Sequence, residues 1–71
     1  MGGNQMNKSV GKNIRQLRIA RQLTQAQLAE RAKCDQSTLS RLENEQKSDV
    51  GIAVLDRISH ALAVSLVDLM K

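Results

Sequence analysis

Nine residues, Gln36 to Asn44, carry side chains suited to the edges of nucleic-acid base pairs. A glutamine carboxamide can bond an adenine edge through N6 and N7 together, and an arginine guanidinium can fork onto guanine O6 and N7. Serine and threonine hydroxyls can serve a base or a phosphate. In this segment those groups are Gln36, Ser37, Thr38, Ser40, Arg41 and Asn44. At roughly 100° per residue, Leu39 and Leu42 fall on one side of a helix. Ser37, Ser40, Arg41 and Asn44 fall on the other. Short side chains at Ser37 and Ser40 let the helix backbone sit deep in a groove. The same pattern also suits a solvent-facing helix of a protein-binding module.

Such a helix must be held rigidly by its neighbours. Asp35 is a good N-cap for it, and Lys33-Cys34-Asp35 reads as a tight turn. Before the turn, Thr24-Gln25-Ala26-Gln27 fits the capping box and opens a helix from Gln25 to about Ala32. Its inner face is Leu28, Ala29 and Ala32. A first helix runs from about Lys12 to Gln22, with Val10, Ile14 and Leu17 in one apolar stripe. Arg18 and Arg21 lie at or beside that stripe, so each must be paired or must snorkel. A fourth helix, Gly51 to about Leu62, turns Ile52, Leu55, Ile58, Ala61 and Leu62 inward. A second capping box at Ser65–Asp68 begins a last short helix with Leu66, Leu69 and Met70 apolar. The expected fold is all-α: a compact five-helix bundle with a helix-turn-helix at its centre. Residues 1–9 read as a flexible N-terminal tail and residues 10–71 as the domain.

Composition narrows the chemistry. Seventy-one residues make one domain at most. There is no Phe, Tyr or Trp, so nothing can stack on unpaired bases. One His (His60) and one Cys (Cys34) exclude an imidazole or thiolate metal cluster. No nucleophile–base set or phosphate-cradling glycine loop is visible, so the chain does not read as an enzyme and no cofactor is expected. No apolar run approaches the ~18 residues a membrane span needs, and a cytoplasmic location is expected. The net charge is +4 and the pI about 9.9. Residues 1–33 hold seven basic residues against Glu30 alone, a local charge of +6; residues 34–71 carry −2. A basic half of this kind suits a polyanionic partner, or serves solubility.

Three stretches resemble one known family. GKNIRQLRIARQLTQAQLAERA, QSTLSRLEN and LDRISHALAVSLVDLM are similar to the Cro/cI-type (XRE) helix-turn-helix transcriptional regulators, over residues 11–70. The resemblance implies a domain that binds double-stranded DNA. It implies that Gln25 contacts a phosphate and braces the first residue of the recognition helix. It implies that Gln36, Ser37 and Arg41 reach base edges, and that Thr38, Ser40 and Asn44 touch bases or backbone. Arg18 and Glu43 match a structural ion pair between the first and third helices. Lys12, Arg15 and Lys47 add phosphate contacts or remain solvated charges. Two departures stand out. Lys33 replaces the usual turn glycine, where a left-handed conformation would cost roughly 1 kcal/mol. The loop Glu45–Val50 lacks the basic and proline residues common there.

One helix reads only about four base pairs, which is too few to specify a genomic site. A homodimer on a palindrome, with its recognition helices ~34 Å apart, is therefore expected. Leu66, Val67, Leu69 and Met70 could supply the two-fold patch, or could close the monomer's own core. The expected function is a sequence-specific transcriptional regulator, a repressor more than an activator. The competing reading is an antitoxin-like subunit that binds DNA mainly together with a protein partner.

Overall fold

The computed structural model describes residues 9–46 and 50–70. They form five helices: α1 (Ser9–Ala20), α2 (Gln25–Ala32), α3 (Gln36–Glu43), α4 (Ile52–Ala61) and α5 (Leu66–Leu69). Residues 1–8 of the expected tail, and Lys47 in the loop, lie outside the described residues. Ser9 does not belong to a tail: it opens α1, which starts three residues before the expected Lys12. The reason is Val10, whose side chain packs against the core and draws the preceding turn into the helix.

Helix α2 packs on α3 and α4, while α1 packs on α3 and α5. The centre is aliphatic, with Ile14, Leu28, Leu39, Ile58, Leu62 and Leu69 fully buried. Ala29 and Ala32 are also buried, and their small size brings α2 close to its neighbours. Ser59 lies in this core as well; its hydroxyl donates to the Asp56 carbonyl at 2.7 Å, which removes the cost of burying it. Ile52 does not point inward as expected. It is 61% exposed, because the first helical residue of α4 precedes the turn that meets the core. At the other end Asn13 Nδ2 donates to the Leu69 carbonyl at 3.0 Å and clasps α5 to α1.

The exits of α1 to α4 follow one rule. Gln22, Lys33, Glu45 and Ala63 all have φ near +60°. At each, the next residue donates its N–H back across the turn: Leu23 to Arg18, Cys34 to Ala29, Gln46 to Arg41 and Val64 to Ser59, at 2.8–3.1 Å. These are Schellman motifs, which satisfy the last carbonyls of a helix. Lys33 therefore takes the left-handed conformation that a glycine would take, and the turn is not altered by its side chain. After three of the four left-handed positions the next residue, Leu23, Cys34 or Val64, tucks back against the core; after Glu45 the next residue, Gln46, is exposed.

Candidate nucleic-acid interface

The turn and the two helices around it set the site. Thr24 Oγ1 accepts from Gln27 N–H at 3.0 Å and Gln27 Oε1 accepts from Thr24 N–H at 2.9 Å, so α2 begins with a complete capping box. Asp35 occupies the N-cap of α3 with extended backbone, but its side chain accepts no cap hydrogen bond. The expected cap is thus present in position and absent in bonding. The first amides of α3 are left for water or for an anion.

Helix α3 presents two faces. Leu39, Leu42 and Glu43 are buried. Gln36, Ser37 and Arg41 are exposed, as is Asn44 at the C-cap; Thr38 and Ser40 are half-buried at the margins. None of these six side chains bonds another residue among those described, so their donors and acceptors stay available. Lys12 and Arg15 are exposed on α1.

Behind this face lies a compact polar network. Arg18 Nε donates to Glu43 Oε2 at 2.8 Å and a second guanidinium nitrogen donates to Oε1 at 3.1 Å. The remaining arm of Arg18 donates to the Leu23 carbonyl at 2.8 Å. Glu43 is only 5% exposed, so its charge needs such a partner. Gln25 Nε2 also donates to Glu43 Oε1, at 3.1 Å. The expected brace from Gln25 to the first residue of α3 is therefore replaced by one to the last. A carboxylate is the stronger acceptor, and Glu43 comes within reach of the start of α2. Arg21, beside the same apolar stripe, is exposed.

A second basic surface lies at the far end of α2. Arg57 Nε donates to the Ala32 carbonyl at 3.0 Å, placing a cation where the helix dipole is negative. Arg31, Lys33, Asp56 and His60 surround it in a shallow depression. His60 Nε2 lies 3.5 Å from Asp56, and both are exposed. Cys34 is half-buried beside Arg57. Burial pushes its thiol above the usual range, Arg57 pulls it down and Asp35 adds to the rise. Among the described residues, no three His, Cys, Asp or Glu side chains converge to hold a metal. Nor is any described helix long and apolar enough to cross a membrane.

An all-α domain with a capped α2, a short turn and a two-faced α3 is of the helix-turn-helix class. The helix-turn-helix family model matches residues 14–69. The chain belongs to this family, in its Cro/cI (XRE) type, and is a DNA-binding domain of the transcriptional-regulator kind. The crystal structure of the clp gene regulator ClgR from Corynebacterium glutamicum matches it with a TM-score of 0.82 at 30% identity. That match covers 90% of this chain and 67% of the other. No curated protein matches the sequence.

Proposed function

We propose that the chain is a sequence-specific double-stranded DNA-binding regulator that acts as a repressor. Two copies set their α3 helices into successive major grooves of a palindromic site. The observation that carries this reading is the outer face of α3, where Gln36, Ser37 and Arg41 stand exposed and unbonded while Leu39 and Leu42 anchor the opposite side. Arg41 has the fork geometry for guanine and Gln36 the carboxamide for adenine. Ser37, Thr38, Ser40 and Asn44 line the same face and serve bases or backbone. Gln25, at the start of α2, serves a phosphate. The uncapped amides at the start of α3 add partial positive charge on that side.

Two of the four residues that could form a two-fold patch instead close the monomer's own core. Leu69 is buried and Leu66 packs on the core, whereas Val67 is 66% and Met70 39% exposed. Val67 and Met70 are the groups left to meet a second copy. Repression follows from occupying an operator against polymerase, and the place of action is the cytoplasm. Selection of binding sites from random duplex DNA, with sedimentation of the complex, tests the proposal. The expected result is an enriched two-fold symmetric motif bound by two protomers. Selection that enriches no motif overturns direct readout, and a single bound protomer overturns the dimer.

A further inference from the structure

Glu43 has two kinds of partner on one carboxylate. Oε2 accepts from Arg18, and Oε1 accepts from Arg18 and from Gln25. A carboxylate so bonded only accepts, and an amide has two different ends. Gln25 must therefore turn its NH2 toward Glu43, since the flipped amide would set oxygen against oxygen. One N–H of Nε2 and the carbonyl Oε1 remain without a protein partner among the described residues. The side chain is also half-buried at the start of α2, which narrows its choice of rotamer.

We infer that Glu43, buried beneath the interface, is a positioning residue that fixes the Gln25 amide as a donor to the DNA backbone. The inference rests on the DNA-binding reading above and adds a role for a residue that touches no DNA. Arg18 keeps the carboxylate in place, Glu43 sets the sense of the amide, and the second N–H of Gln25 meets a phosphate oxygen. Holding the amide beforehand lowers the ordering cost of that contact. It also ties the last turn of α3 to the first turn of α2, so phosphate anchoring and groove entry share one support.

The test is a double-mutant cycle in binding to a mixed-sequence duplex over a range of salt. The pair Arg18→Met with Glu43→Leu removes the acceptor while leaving two apolar side chains of similar size, an exchange that buried ion pairs often tolerate. In the native background Gln25→Ala should weaken binding several-fold at every salt concentration with the salt slope unchanged, because a neutral amide releases no counterion. In the background that already carries the apolar pair, the same change should have no further effect. Equal cost in both backgrounds overturns the inference while leaving DNA binding intact. A native chain that binds no duplex overturns the DNA-binding reading, and this inference with it.

A second measurement needs no substitution. In the side-chain amide NMR spectrum of the native protein, Gln25 should be rigid while the exposed Gln22 is averaged. Equal averaging of the two overturns the proposed hold.

Discussion

Gly11 of α1 sits directly against the backbone of Leu42 in α3. A Cβ built on Gly11 would overlap the Leu42 carbonyl oxygen and come within 2.9 Å of its carbon. The two helices can approach this closely only because the first has no side chain there. Gly11 lies about two turns before Arg18 in α1. The same pair of helices is thus joined by backbone contact near the start of α1 and by charge near its end.

Gly11→Ala should destabilise the domain although alanine is the better helix former. Propensity favours alanine by up to about 1 kcal/mol. The obstruction is backbone, which cannot rotate away, and overpacking of this kind costs about 1–3 kcal/mol. Urea unfolding should show a lower midpoint; a higher one would mean that α1 slides freely over α3.

Arg41→Ala should relax base preference at one position of each half-site and cost about 1–3 kcal/mol per contact. Lys12→Ala and Arg15→Ala should leave base preference unchanged; each loses about one unit of salt slope if its cation meets a phosphate. Competition binding with single-base operator variants separates the two classes. A uniform loss across all variants for Arg41→Ala would make it a phosphate contact instead.

The two N-caps at the turn should behave differently. Thr24→Ala removes the hydroxyl that accepts from Gln27 N–H, while the bond from its own N–H to Gln27 Oε1 can persist, and should cost about 1 kcal/mol. Asp35→Ala removes no cap bond, and only a few tenths of a kcal/mol from the α3 dipole should be lost. Thermal unfolding of the two variants side by side checks the order, and a larger loss for Asp35 would reverse it.

Lys33→Gly should stabilise the domain slightly. It relieves roughly 1 kcal/mol of left-handed strain, against which the extra freedom of glycine in the unfolded chain returns part. Lys33→Val, with a branched Cβ, should lose stability at the same site. Chemical denaturation of the two variants gives the sign of each change.

The Cys34 thiol should make stability fall in alkaline solution. Its folded value is raised by burial, so the folded chain keeps a proton that the unfolded chain releases first. The contribution is whole below the unfolded value and is lost as pH climbs toward the folded one. Cys34→Ala should remove this part of the alkaline slope. Identical slopes for both chains would show that the thiol is as solvated in the fold as out of it.

Much of this architecture was legible in the residues because periodicity and capping are local. The α2 capping box, the Leu28–Ala29–Ala32 face and the two faces of α3 each depend on a few neighbouring side chains. Relations across the chain were harder to see. Gly11 lies inside a helix, where sequence alone gives no reason for it, and the reason is the distant Leu42 carbonyl. The left-handed exits were hidden because none of the four uses glycine. Three of them leave a trace in the apolar residue just after, Leu23, Cys34 or Val64, whereas the α3 exit is followed by polar Gln46. Gln25 could be placed at the start of α2 from its neighbours, but its choice of Glu43 as partner depends on how α2 and α3 cross.

The clasp between Asn13 and Leu69 joins residues 56 positions apart, and α1 otherwise rests on α3. As the polypeptide leaves the ribosome, α1 is therefore the first of these helices made, yet it gains its full set of neighbours only when α5 follows. Twelve residues alone hold helical shape poorly in water. The α1 segment of a half-made copy is thus open to proteases and chaperones until α5 has been delivered.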